Sequence, residues 1–216
     1  MIRDNLLTKR LCIFGTGGFG KEVLGCYKDI IEANGVANFN VCFMVEDEYF
    51  SVEEVAGVEV IRLSEFKPDL HNVVIAVGDP LLRRRIVTKL PKETSYATLI
   101  HPTVVISNTV SVGNGSVICA GCILTCDITL GVHTHLNLGT TIGHDCVCGD
   151  YFTTAPGCNI SGNCRIGNNV YLGTAASLRE KVQIFDNVVV GMGGIVLKDI
   201  TKSGTYVGFP VREMTK

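Results

Sequence analysis

Several features that steer a sequence toward a function are nearly missing here. Net charge is only −2 over 216 residues, too little to point to nucleic acid or an anionic membrane surface as a partner. The segment Met1–Gly15 has no apolar run long enough for a signal peptide or a membrane span. Over the last hundred residues neither the helical period of about 3.6 nor the strand period of about 2 can be found. The hydrophobic share is nevertheless 46%, ample for a core, in a length that fits one large domain or two small ones. No secretory leader is expected, so the ten cysteines read as reduced thiols and a cytoplasmic protein is expected.

What replaces the usual periods is a repeat of six. An aliphatic residue returns at Ile100, Ile106, Val112, Ile118, Leu124, Leu130, Leu136 and Ile142, and again from Ile160 to Val196, with only Cys148 and Thr154 departing in type. Four residues after each member stands a smaller set that includes Ser116, Cys122, Thr134, Thr140, Cys146, Cys158, Cys164, Ala176 and Gly194. A sustained hexapeptide repeat predicts a parallel β-helix, with one step per face, three faces per coil and about 18 residues per turn. The large residues fill the prism and the small ones its corners.

That register also judges the cysteines. Cys119-x-x-Cys122 and Cys146-x-Cys148 resemble metal-ligand spacings. Cys122, Cys146, Cys158 and Cys164, however, take the small inward position, where Cys acts as a compact hydrophobe. Cys119 and Cys122 fall at different phases, so they are not expected to converge on one ion, and no metal is expected.

The first hundred residues read differently. Strands are expected at 10–15, 40–45 and 72–77, with helices at 21–33 and 81–90. Strand–helix–strand alternation implies a small parallel sheet covered by helices, with the boundary near Leu99 to Pro102. Residues 1–99 and 100–216 are accordingly expected to be two domains. Between the first strand and first helix lies Gly15-Thr-Gly17-Gly18-Phe19-Gly20. This G-x-G-x-x-G pattern at a strand-to-helix turn suits a phosphate, because backbone N–H groups and the helix dipole favour an anion. Only one mononucleotide half fits before the repeats begin, so a nucleotide-linked ligand is expected over the loop rather than a redox dinucleotide. Asp47, just past the second strand, is expected to accept hydrogen bonds from base or ribose. The third strand ends in Gly78-Asp79-Pro80, and Asp79 joins the substrate-binding candidates.

Chemistry is expected on the repeats. His144 and Asp145 are the third and fourth residues of a hexapeptide, which places them at a corner or on the outer face. A neutral imidazole can take a proton from an attacking amine or hydroxyl, and a neighbouring carboxylate can hold its tautomer. One coil further, Gly162 should lie beside His144, where its N–H could steady an oxyanion. His133 and His135 are weaker candidates.

The segments Ile13–Glu22, His101-Pro102, Leu136-Asn137, Ile142–Cys146, Ala155–Gly157, Gly191–Gly194 and Gly208–Pro210 make nearly the whole chain resemble one group, the sialic-acid O-acetyltransferases and nucleotide-sugar N-acetyltransferases. The resemblance implies a Rossmann-like α/β half domain followed by a left-handed β-helix, a homotrimer, and acetyl transfer from acetyl-coenzyme A to a sugar. It assigns general-base work to His144, support to Asp145, and the acceptor's nucleotide to Gly15–Gly20. Coenzyme A in this group runs along the C-terminal coils, which brings in Gly173, Thr174, Gly191, Gly194, Lys198 and Pro210. Two departures stand out: Gly208-Phe-Pro-Val211 replaces the group's usual Gly-Asn-Pro-Ala, and Pro80 stands where Asn often follows the Asp. The expected activity is N-acetylation of a nucleotide-linked 4-amino-4,6-dideoxy sugar for a surface glycan, an O-antigen or a glycoprotein glycan. The alternatives are O-acetylation of sialic acid, or a non-catalytic β-helix scaffold or nucleotide binder.

Overall fold

The structure is a computed structural model that describes residues 9–36 and 39–214. Residues 1–8, on which the reading of the N-terminus partly rests, lie outside the described residues. Among the described residues no helix is long and apolar enough to cross a membrane.

The first unit is a six-stranded sheet flanked by two helices. Its elements are β1 (Arg10–Phe14), α1 (Gly18–Ala33), β2 (Val41–Val45), β3 (Glu54–Val55), β4 (Val58–Arg62), β5 (His71–Ile75), α2 (Pro80–Lys89) and β6 (Ser95–Tyr96). The order across the sheet is β3-β4-β2-β1-β5-β6. All neighbours are parallel except β3, which pairs with β4 antiparallel. The chain leaves β1 toward β2 on one side and returns to β5 on the other. This reversal makes a crevice at the carboxyl ends of β1, β2 and β5, the usual ligand position in such sheets. The sequence reading found β1, β2, β5 and both helices but missed β3, β4 and β6. Val58-Glu-Val-Ile-Arg62 is a five-residue strand between β3 and β2, buried at Val58, Val60 and Ile61, while the two-residue strands β3 and β6 carry too little periodicity to read.

From Leu99 onward the chain winds into a parallel β-solenoid of three sheets, a left-handed parallel β-helix. Strands pair 18 residues apart, as in Val117↔His135, Ile123↔Thr141 and Thr129↔Val147. The predicted inward residues from Val112 to Val196 are all buried, whereas the prism opens at its first coil, where Ile106 is exposed. The last coil is shorter, with Val188 pairing Gly204 and Ile184 bridging Ile200. The small series has a polar task as well as a steric one. Thr134 and Thr140 donate to Gly131 O and Asn137 O within their own corners. The thiols of Cys122, Cys146, Cys158 and Cys164 donate across to carbonyls of the following coil, at Asn137, Ser161, Gly173 and Arg179. Cys119 faces the other way, into the core shared with α1, so it and Cys122 belong to different clusters.

The two units share that core. Leu99, Val117 and Cys119 of the solenoid's first sheet pack with Val23, Leu24 and Tyr27 of α1. Leu99 thus stands on the expected 99/100 division, inside the strand Leu99–Ile100. His101 Nε2 bonds the Asp29 carboxylate of α1 at 2.9 Å.

Candidate active site

The glycine loop divides its residues between structure and space. Gly15 has φ +111°, a left-handed conformation that an L side chain rarely adopts. At Gly20 a Cβ would stand 2.1 Å from the Gly15 carbonyl oxygen, so only glycine allows α1 to approach β1 this closely. Gly17 caps α1 and Gly18 opens it, and a Cβ at either would meet nothing within 4 Å. The space above these two residues is open, at the positive end of a 16-residue helix. Phe19 turns downward, its ring 5.3 Å from that of His135 in the solenoid.

Beside the loop lies a cavity of about 450 Å³ at the carboxyl ends of β1, β2 and β5. Gly15, Thr16, Glu46 and Val77 form its strand side, Tyr49 its rim, and Arg85, Ile86 and Lys89 of α2 its far wall. Glu46 pairs with Lys89, and this partner raises the lysine's pKa. The acid in the cavity is therefore Glu46. Asp47, the sequence candidate, turns aside: its carboxylate accepts the Ser64 N–H at 3.0 Å, and that bonding holds it below the usual carboxylate range. Asp79 is likewise engaged locally, capping α2 by accepting the Leu82 N–H at 2.7 Å. Neither Asp47 nor Asp79 lines the cavity. Glu46 was legible only as the residue before Asp47. Arg85 and Lys89 needed the helix to be rotated into place.

The solenoid brings His144, Asp145 and Gly162 together as the 18-residue spacing predicts. His144 Nδ1 lies 2.7 Å from Asp145 Oδ2, and Asp145 holds φ 59°, a left-handed corner that Asp tolerates. A Cβ on Gly162 would sit 2.7 Å from His144 Nε2, so the ring rests on a residue that must lack a side chain. The coils are tied here by the Asn163 N–H donating to His144 O at 2.8 Å. More than half of each side chain, 58% of His144 and 53% of Asp145, is open to solvent. A carboxylate can only accept, so Nδ1 donates to Asp145 and Nε2, beside the bare backbone of Gly162, is left as the nitrogen that can take a proton. His133 and His135, the weaker candidates, are buried and reach no solvent.

At the C-terminal end a groove of about 460 Å³ is lined by Lys198, Asp199, Tyr206, Pro210, Val211 and Arg212, among others. It unites Lys198 and Pro210 of the expected coenzyme set. Gly194 adjoins it: a Cβ there would stand 3.1 Å from Val211 Cγ1 and 2.7 Å from Val190 Cγ1. Gly173 and Gly191 stack in successive coils, and a Cβ on Gly173 would come within 2.6 Å of Met192 N. Thr174 O accepts the Gly193 N–H at 2.8 Å. The glycines thus have a packing reason of their own, and of the six residues expected to hold the coenzyme Lys198 and Pro210 are the two that line the groove. His144 lines neither this groove nor the N-terminal cavity.

Comparison with known proteins adds the following. Residues 10–90 match the PglD N-terminal domain family. The chain is 28% identical to the GDP-perosamine N-acetyltransferase of Escherichia coli O157:H7 over 94% of its length and 96% of the relative's. Among solved structures it resembles a mutant of perosamine N-acetyltransferase from Caulobacter crescentus in complex with CoA and GDP-perosamine, at TM-score 0.85 and 26% identity, covering 96% of this chain and 97% of that one. It also resembles the acetyltransferase domain of PglB from Neisseria gonorrhoeae FA1090 in complex with acetyl coenzyme A, at TM-score 0.85 and 26% identity, covering 96% and 100%.

Proposed function

We propose, from the premise that this chain is a homologue of GDP-perosamine N-acetyltransferase, aligned over 94% of its residues, with a match to the PglD N-terminal domain family at residues 10–90, how its own residues carry the reaction. The chain is an acetyl-coenzyme A-dependent N-acetyltransferase for the amino group of a nucleotide-linked 4-amino-4,6-dideoxy sugar, in surface-glycan synthesis. The observation that carries the catalytic assignment is the His144–Asp145 pair seated on Gly162.

In this reading residues 1–99 hold the acceptor and residues 100–216 hold the coenzyme and the base. The diphosphate lies over Gly17 and Gly18 with the nucleoside in the adjoining cavity. Coenzyme A reaches His144 from the C-terminal groove of Lys198 and Pro210. The sugar amine attacks the thioester carbonyl carbon, forming the C–N bond, while His144 Nε2 takes the amine proton. The Asp145 carboxylate stabilises the imidazolium that results. The Gly162 N–H steadies the tetrahedral oxyanion. The C–S bond then breaks, and the departing thiolate takes the proton back from His144. No acyl-enzyme is formed.

Two further features belong to this reading. Val105 and Ile123 stack in register on the outer side of one sheet and are both exposed, and the strand Thr141–Ile142 that leads into His144 continues the same sheet. An apolar strip of this kind marks an interface, and a homotrimer joined there would wall the exposed His144 with a neighbouring prism. The reaction is placed in the cytoplasm, where acetyl-coenzyme A and free thiols coexist. O-acetylation of free sialic acid would leave the N-terminal cavity with no nucleotide to hold.

The test is release of free thiol from acetyl-coenzyme A against UDP-, GDP- and dTDP-linked 4-amino-4,6-dideoxy sugars, with free sialic acid as the control. Turnover with one of the nucleotide sugars is expected. Turnover with sialic acid alone would overturn the reading.

A further inference from the structure

Helix α2 carries three consecutive arginines with different fates. Arg85 lines the acceptor cavity and Arg84 is exposed, whereas Arg83 is 0% exposed. Its guanidinium has five hydrogen-bond acceptors, and all of them are neutral. Nη1 donates to Val77 O at 2.6 Å and Gly78 O at 3.3 Å. Nε donates to His133 O at 3.0 Å. Nη2 donates to Tyr151 O at 2.9 Å and Thr153 Oγ1 at 2.6 Å. Burial pushes the guanidinium pKa down to about 9, which leaves it charged at neutral pH. Apolar packing joins two surfaces at a lower desolvation cost than a buried charge. What the arginine adds is geometry, because its planar fork fixes the directions of several partners at once.

Those partners lie on two sides. Val77 lines the acceptor cavity and Gly78 follows it. His133 and Tyr151 stand one coil apart on the solenoid, and the coil between them carries His144. A second, independent contact runs in parallel. Phe19 of the glycine loop packs on His135 of the same coil, and the His133 ring is held between Tyr151, stacked at 5.2 Å, and Tyr96, edge-on at 4.6 Å. Both walls of the acceptor site, the α2 side and the loop side, therefore rest on one turn of the β-helix.

We propose that Arg83 is a positioning residue that sets the height of the acceptor cavity along the β-helix axis, level with the coil bearing His144. The inference rests on the reading that the nucleotide sugar occupies the N-terminal cavity. It holds whichever subunit supplies the base, because a threefold axis parallel to the prisms keeps every His144 at the same height. The cavity itself is built from β1, β2, β5 and α2, so loosening the bonds to His133, Tyr151 and Thr153 shifts its position. Thr153→Val does this without touching the Arg83 bonds to Val77, in the cavity's own wall, and to Gly78.

The experiment uses the full chain and three variants, Arg83→Met, Arg83→Lys and Thr153→Val. Kinetics with the preferred sugar nucleotide are measured beside calorimetry with the nucleoside diphosphate alone and with coenzyme A. A displacement of about an ångström costs on the order of 10²-fold in rate, and that fall in kcat is expected for Arg83→Met. Both dissociation constants should stay at the wild-type value. Arg83→Lys should recover part of the loss, and Thr153→Val should show a smaller fall in the same direction. Wild-type kcat in Arg83→Met, or diphosphate binding lost in step with turnover, would overturn the proposal. If Arg83→Met does not fold, Thr153→Val decides: unchanged kcat in it is equally fatal. Failure of the underlying reading looks different, since the wild type would then bind no diphosphate and acetylate no nucleotide sugar.

Discussion

The imidazole of His144 lies on Gly162, one coil further along, with Nε2 only 2.7 Å from the place a Cβ at residue 162 would occupy. The base and its seat are thus a single unit, and each can be tested through the other. Replacing His144 with Ala or Asn removes the proton acceptor and should lower kcat by roughly 10²–10⁴ with little change in acceptor KM. Asp145→Asn should cost less, because the imidazole remains. Gly162→Ala should lower kcat by displacing the ring while the β-helix stays folded. Steady-state rates at neutral pH check all four variants. A His144→Ala enzyme with most of its kcat would remove the residue from the mechanism.

How far this unit was legible in the sequence follows from its physics. The β-helix repeats one local rule, so residue 162 had to stand beside residue 144, and the inward series from Val112 to Val196 had to be buried. The α/β unit obeys no such rule. Its cavity depends on how α2 packs against the sheet, where Lys89 meets Glu46, and on the turn after β4, whose Ser64 N–H holds Asp47 aside. Arg83 was illegible for the same reason: in Arg83-Arg84-Arg85 nothing marks which arginine faces the solenoid. The glycines of the C-terminal set were readable as glycines, but their close contacts with the next coil appear only once the coils are stacked.

The glycine loop separates binding from folding. Gly17→Val places a side chain in open space, so it should leave the melting temperature near wild type and raise the acceptor KM strongly. Gly20→Ala forces a Cβ against the Gly15 backbone and should destabilise the fold, an overpacking cost of about 1–3 kcal/mol or more. Neither should alter coenzyme A affinity. Thermal melts beside kinetics check both, and equal melting losses in the two variants would refute the division.

The cavity's acid gives a sharper contrast. Glu46→Gln keeps the shape and removes the charge that Lys89 now holds, so acceptor KM should rise if Glu46 accepts hydrogen bonds from base or ribose. Asp47→Ala acts only through Ser64, and its effect on KM should be smaller. Calorimetry with nucleoside diphosphate ranks the two. A larger loss in Asp47→Ala would return the binding role to that residue.

Assembly is checked by mass. Light scattering should give three times the 23.3 kDa of the chain. Val105→Asp with Ile123→Asp, which charges the stacked apolar pair, should yield monomers with a folded spectrum and little turnover. A wild-type monomer at micromolar concentration would end the trimer proposal and, with it, the neighbouring wall for His144.

The last prediction concerns acid. His133 and His135 are buried around Arg83. His133 Nδ1 and both His135 ring nitrogens have no hydrogen-bond partner among the described residues. Burial, with the nearby guanidinium adding to it, pushes His133 from 6.5 down to about 4 and His135 well below its ordinary value. His71 shifts the same way, chiefly through burial. Each folded-state pKa is depressed, so the unfolded chain binds protons that the native state refuses. The stability they contribute is present above pH 6.5 and lost as pH falls toward 4. For His133 alone the fall to about 4 is worth on the order of 3 kcal/mol. The melting temperature should therefore hold near neutrality and decline steadily between pH 6.5 and 4. His133→Phe keeps an aromatic ring between Tyr96 and Tyr151 but cannot take a proton, so its decline over that window should be shallower. Melts by circular dichroism at half-unit steps suffice. Identical slopes in the two proteins would mean that the His133 site does not govern acid stability.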